Sequence, residues 1–287
     1  MYIYLGRPAN LAPAQRFLGQ PAPAVTTVPL RRVVLTFTHP FRAVCRIHVH
    51  TGKGGDSVGS GVLISRRHVL TCAHILYDRA DPNPLKVTVL PNHDGPDDTR
   101  QPIPADAWAV NPAWRPSDCR SAEDDLAIIR LSRRADTEPW PVENFNPSVL
   151  ASAAIVLAGY PAFSNTDKAL WMYRSQGRVL GGFRINCCCD AWPAKCDPLK
   201  QRTRDSLSRT DFGPITGTTK LIGHSLDSRR VMSGGPMWIP DNKKPILVAL
   251  HARDIDNGIN KAAVLLNDAV RRLINDWMTR QLRPLPT

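Results

Sequence analysis

Three residues of this chain, His74, Asp125 and Ser233, each stand in a short context that suits one part of nucleophilic catalysis. A serine hydroxyl is a weak nucleophile at neutral pH. It becomes an effective one when an imidazole takes its proton and a carboxylate holds that imidazole in one tautomer. His74 closes the run Val69-Leu70-Thr71-Cys72-Ala73-His74, as expected of a general base at the end of a strand. Asp125 opens the apolar run Leu126-Ala127-Ile128-Ile129, with Asp124 beside it as a competing carboxylate. Ser233 precedes Gly234-Gly235-Pro236, which suits a tight turn that lets a substrate backbone come close.

The remaining chemistry-bearing residues make a weaker pattern. His39, His48, His50, His68, His93 and His224 lack a comparable context and read as surface or structural histidines. His48 and His50 alternate along a strand like a metal pair, but no cysteine or carboxylate stands at ligand spacing, so no metal site and no cofactor is expected. Seven cysteines leave at least one unpaired, and four of them, Cys187, Cys188, Cys189 and Cys196, fall in a polar stretch, Gly181–Lys220, that reads as a long surface insertion.

The elements that must position these residues are short. The chain has 287 residues with 43% hydrophobic content, and its 26 prolines and 18 glycines divide it into brief segments. Apolar runs at Ala43–Val49, Gly61–Ile64, Val69–Cys72, Leu85–Leu90, Leu126–Leu131, Ala154–Ala158, Leu221–Gly223 and Ile246–Leu250 predict strands. Helical spacing is clear only near the end, where Val270, Leu273, Ile274 and Trp277 fall at i, i+3, i+4 and i+7 behind Asn267 as N-cap. An all-β body with a C-terminal α-helix over 267–282 follows.

The formal net charge is +12, yet the basic residues fall in scattered pairs (Arg66-Arg67, Arg133-Arg134, Lys243-Lys244, Arg271-Arg272) without interleaved aromatic residues. The charge is compatible with acidic substrates and with nucleic acid, and the scattered distribution gives little support for the latter. The first thirty residues carry arginines and prolines and lack the apolar core of a secretory signal, and no run is long enough to span a membrane. A cytoplasmic location as encoded is the expectation, with export by another route left open.

In these motifs the chain resembles the trypsin-like, chymotrypsin-fold serine proteases, and within them the bacterial glutamyl endopeptidases. The resemblance runs from Val44 to Trp277 and is anchored by Gly59-Ser60-Gly61-Val62-Leu63-Ile64 before His74, by Asp125-Leu126-Ala127, and by Ser233 to His251. The chain order His, Asp, Ser is the one that fold uses. It implies two six-stranded antiparallel β-barrels with the catalytic residues in the cleft between them. Residues 1–32 would then be a flexible leader, 33–147 a first barrel carrying His74 and Asp125, and 148–287 a second carrying Ser233, with the insertion 181–220. The family's Asp-Ile-Ala-Leu pattern selects Asp125 over Asp124. Activity implied by the resemblance is hydrolysis of peptide or protein substrates through an acyl-enzyme, with the N–H groups of Ser233 and Val231 holding the oxyanion.

Departures from the family matter. In the family glycine usually stands two before the serine and Asp or Asn one before it, whereas this chain has Val231 and Met232. A β-branched residue at positive φ is strained, so a catalytically inactive, protease-fold binding module is the alternative reading. Met232 also cannot pair with a newly cut N-terminus, although Arg31-Arg32-Val33-Val34 resembles a cleavable junction; its plain reading is a solvated linker. For specificity, Asp227-Ser228 resembles the trypsin dipeptide, which favours a basic P1 residue, while His251 resembles the histidine with which glutamyl enzymes bind a substrate carboxylate. Both P1 readings stay open. Cys45 and Cys72 flank the segment before His74 in a way similar to a disulfide pair of the animal enzymes.

Overall fold

The computed structural model describes residues 28–51, 55–77, 84–116, 119–164, 168–182, 212–240, 244–255 and 260–285. Its strands are β1 (Val28–Arg32), β2 (Val44–Thr51), β3 (Gly55–Ser65), β4 (His68–Thr71), β5 (Lys86–Pro91), β6 (Ile103–Val110), β7 (Ala127–Leu131), β8 (Ile155–Gly159), β9 (Tyr173–Gly177), β10 (Val179–Gly182), β11 (Leu221–His224), β12 (Pro236–Ile239), β13 (Ile246–Ile255), β14 (Asn260–Leu265) and β15 (Arg283–Pro284). One turn of helix, α1 (Ala73–Leu76), and a C-terminal helix, α2 (Asp268–Thr279), complete the regular structure with a few 3₁₀ turns. Every apolar run expected to be a strand is one.

The first sheet runs β6-β5-β2-β3-β4-β7, and β7 pairs again with β6, so it closes into a six-stranded antiparallel barrel. Alternation explains it: along β2, Cys45, Ile47 and Val49 are buried while Arg46, His48 and His50 face outward. The second sheet runs β1-β9-β8-β12-β13-β14-β11-β10. β9, next to the β1 edge, and β10, the opposite edge, are separated in sequence by Arg178 alone, so this half-barrel sheet curls until its two sides approach each other. The fold is therefore all-β and chymotrypsin-like, with a C-terminal helix.

Both chain ends cross over. β15 joins the first sheet beside β6, and β1 joins the second beside β9. The leader expected over 1–32 thus ends as structure: Arg31 and Arg32 pair with Arg174 and Tyr173, the Arg32 guanidinium lies 3.3 Å from the centre of the Trp171 ring, and Val33 is buried with its N–H on Met172 O. The dibasic pair is part of a sheet edge, not a solvated linker. Residues 1–27 lie outside the described residues.

α2 forms as its spacing predicts, with Asn267 Oδ1 accepting from the Val270 N–H at 3.0 Å. Val270, Ile274 and Trp277 are buried. Arg271, from one of the scattered basic pairs, is buried too, its guanidinium donating to Leu266 O and Asp268.

A Cys45–Cys72 bond is absent: both thiols are free and buried. Cys45 lies on β2 and Cys72 follows β4, and β3 separates those strands. Two strand spacings are about 10 Å, beyond the roughly 7 Å that a disulfide tolerates between Cα atoms. The insertion starts and ends in the second sheet, where Gly182 pairs with Gly213 and the Phe212 ring covers Gly223. Its cysteines Cys187, Cys188, Cys189 and Cys196 lie outside the described residues.

Candidate active site

β4 and β7 are neighbours in register, with Thr71 opposite Ala127. The chain that leaves β4 through α1 and the chain that enters β7 therefore share one end of the barrel. His74 Nδ1 and Asp125 Oδ2 are 2.7 Å apart, and the His74 N–H donates to Asp125 Oδ1 at 3.0 Å. Bonding at Nδ1 leaves His74 Nε2 as the proton acceptor. Asp125 is fully buried. Burial alone would raise its carboxyl, but His74 and then Arg253, 3.4 Å from Oδ2, hold it below the ordinary value. Asp124 points elsewhere, accepting from Lys220 Nζ at 3.2 Å and Asn111 Nδ2 at 3.1 Å. Geometry thus separates two acids that are adjacent in sequence.

Ser233 comes from the loop before β12, which is packed against the first barrel. Its carbonyl accepts the Ser60 N–H at 2.9 Å, and Gly234 has φ +79°. A Cβ on Gly234 would stand 2.1 Å from Ser60 O and 2.4 Å from Thr71 Oγ1, so only glycine fits where the Ser233 loop meets β3 and β4. Ser233 Oγ donates to Ala252 O at 3.0 Å. The structure therefore brings His74 and Asp125 into hydrogen bond, and leaves the serine hydroxyl on a backbone carbonyl.

Val231 has φ +75°, the left-handed region that valine avoids. Two pinned peptides enforce it. Arg230 O accepts the Ala162 N–H at 2.9 Å; Val231 O accepts Ser60 Oγ at 3.3 Å while the Met232 N–H donates to Arg229 O at 3.2 Å. Ser60 Oγ itself accepts the Tyr160 N–H at 2.9 Å. Among the described residues the N–H groups of Val231 and Ser233 donate to no acceptor, leaving two free donors either side of Met232. The Met232 side chain is buried in the core of the second sheet, where the family's acid would be unpaired.

The residues considered for substrate binding are not gathered as the sequence suggested. Asp227 Oδ2 accepts the Leu30 N–H of β1 at 3.1 Å, which engages the carboxylate in holding the N-terminal strand. Ser228 is buried. His251 is buried on β13 with Nδ1 3.1 Å from His224 Nε2, and its pKa is pushed down to about 3, by burial first and then by Lys261 and His74. His224, dismissed on sequence, is thus the inner partner of His251. It lies on β11 with Lys261 opposite on β14, and burial, followed by His251 and Lys261, keeps it well below the usual imidazole range. Only its place two strands away in the sheet could have revealed it.

Cys72, His74 and Asp125 offer three donors within 4.8 Å of one another. They do not make a metal centre: burial keeps the Cys72 thiol protonated, Sγ donates to His251 O at 3.3 Å, and Asp125 is committed to His74. Among the described residues no helix is long and apolar enough to cross a membrane.

The sequence profile of the trypsin-like peptidase domain matches residues 59–246, more than half of the chain. No curated protein sequence matches it. Among solved structures, a Glu endopeptidase in complex with MPD superposes with a TM-score of 0.64 at 16% identity, over 88% of this chain and 98% of its own. Protease Anisep from Arthrobacter nicotinovorans gives 0.59 at 13%, over 86% and 98%. A scabies mite inactivated protease paralogue gives 0.58 at 15%, over 88% and 100%. These identities carry the fold alone. With the profile match spanning both halves of the cleft, the chain belongs to the trypsin-like peptidase family.

Proposed function

We propose that the protein is a serine endopeptidase in which Ser233 is the nucleophile, His74 the general base and Asp125 the carboxylate that orients it. The observation that carries this reading is the His74–Asp125 pair at 2.7 Å, with Nε2 left as acceptor, beside two backbone donors at Val231 and Ser233. Catalysis begins with a turn of Ser233 about χ1, from Ala252 O to His74 Nε2. Oγ then attacks the peptide carbonyl as its proton passes to Nε2. The oxyanion lies against the Val231 and Ser233 N–H groups, His74 returns the proton to the leaving amine, and water activated by His74 hydrolyses the acyl-enzyme. Peptides or proteins are the substrates, and no metal or cofactor takes part.

Acidic P1 residues are the preferred class. Supporting this are the net charge of +12, the engagement of Asp227 with β1, and the likeness to a Glu endopeptidase. His251, kept neutral, would meet a substrate carboxylate as a hydrogen-bond donor through Nε2 when His224 donates to its Nδ1. A binding module without activity is the second reading, supported by Val231 at positive φ and by the hydroxyl on Ala252 O.

Labelling with a fluorophosphonate probe, with the adduct mapped by mass spectrometry, tests the enzyme reading. Adduct on Ser233 that is lost in His74→Ala is expected; folded protein that takes no label would leave the binding module. A peptide panel varied only at P1 then tests specificity, and cleavage after Lys or Arg but not Glu would refute the acidic preference.

A further inference from the structure

Asp125 is fully buried, and in the general-base form that the proposed mechanism requires its partner imidazole is uncharged, so the pair then carries a net negative charge out of water. Such a charge is costly unless a cation compensates it. The cation in contact is Arg253, which reaches across from β13 of the second sheet to place Nη2 3.4 Å from Asp125 Oδ2. That oxygen is also the one that accepts from His74 Nδ1. Ala252, one residue earlier, has no side-chain donor to offer. Arg253 Nε is buried and without a hydrogen-bond partner among the described residues, so the guanidinium is held there at some cost.

We infer that Arg253 is a positioning residue of the catalytic pair, a guanidinium that shares Asp125 Oδ2 with His74 and sets by its charge how readily the pair takes up a proton. The inference rests on the serine-hydrolase reading above. At 3.4 Å the contact is at the limit of a hydrogen bond, and Coulomb attraction falls off more slowly than hydrogen-bond geometry, so charge is the main effect. The groups facing the pair are few. Cys72 lies before α1 with a protonated thiol; neutral His251 lies on β13; Lys220 is paired with Glu123 and Asp124. None of these supplies a second cation in contact with Asp125.

The test is a pH titration of the low-field proton resonance of the His74 Nδ1–H···Asp125 bond, which reads the pair whether or not the protein turns over substrate. The rate of fluorophosphonate labelling is followed over the same pH range. Losing a cation makes protonation easier. Arg253→Gln and Arg253→Met, both neutral, are expected to move the midpoint and the acidic limb of labelling upward by about half a unit to one unit. Arg253→Lys keeps the charge and returns both toward wild type. Midpoints that stay with wild type in a folded neutral variant would overturn the inference, as would a Lys variant that behaves like Gln. Absence of labelling in wild type with a normal shift of the resonance would count against the hydrolase reading alone.

Discussion

The two halves of the cleft are built in different ways. On the first barrel, His74 and Asp125 stand just past the paired ends of β4 and β7, with Thr71 opposite Ala127, and they are already hydrogen-bonded. A closed ladder fixes their spacing, and little else is needed. On the second sheet, Ser233 stands on a loop whose conformation no ladder dictates. There Val231 is strained, Gly234 is pressed against Ser60 and Thr71, and the hydroxyl rests on Ala252 O. The loop around Ser233 is shaped from both sides, by the bonds of Ser60 from the first barrel and by the Gly234 N–H on His251 O of β13. One half of the site is preassembled by its own sheet; the other depends on the interface.

That contrast can be broken at either half. Asp125→Asn leaves the ladder intact and imposes the wrong imidazole tautomer, so peptide hydrolysis is expected to fall roughly 10⁴-fold with little change in melting temperature. Unchanged activity would remove the first barrel's half from the mechanism. On the other half, Val231→Pro deletes one oxyanion donor and cannot adopt φ +75°. A loss of roughly 10²- to 10³-fold in kcat is expected, whereas Val231→Gly, which relieves the strain, should keep full activity. Equal activity in the two would show that the Val231 N–H is not a donor.

Ser60→Ala probes the interface itself. It strips the Val231 carbonyl and the buried Tyr160 N–H of their partner, and urea titration should show a loss of about 1–3 kcal/mol together with slower labelling of Ser233. Stability lost without slower labelling would uncouple Ser60 from the nucleophile loop.

A further effect is set by pH. His251 is depressed from 6.5 to about 3 in the fold, and His224 is depressed as well. Between those values the unfolded chain binds more protons than the native one, so the stability from keeping them neutral is complete above pH 6.5 and drains away as pH falls towards 3. The slope is at most about 1.4 kcal/mol per pH unit for each histidine. Urea midpoints at pH 7 and pH 5 should differ accordingly, and His224→Leu should flatten the difference.

Motifs and the strand pattern were legible because they are local. Strands announce themselves through alternation along their own length, α2 through its 3.6-residue spacing, and the His, Asp, Ser order through short contexts around each residue. The strain at Val231 was legible through the resemblance, which puts glycine where this chain has valine. By contrast, β6, β9 and β14 carry little alternation of their own and are strands because neighbours pair with them. β1 gave no signal, because what holds Arg31 and Arg32 is the edge of β9 and the ring of Trp171, some 140 residues away.

By itself, then, the sequence determined the all-β class, the candidate residues His74, Asp125 and Ser233, and the anomaly beside the nucleophile. Only the tertiary structure turned Asp124 to Lys220 and Asn111, took Asp227 into the anchoring of β1, buried His224 against His251, kept Cys45 and Cys72 apart across β3, and brought Arg253 to Asp125. The reason is physical. Backbone propensity and burial pattern act over a few residues and are written into each segment, whereas the partner of a buried charge is decided by which strands lie side by side and where their ends fall in the cleft.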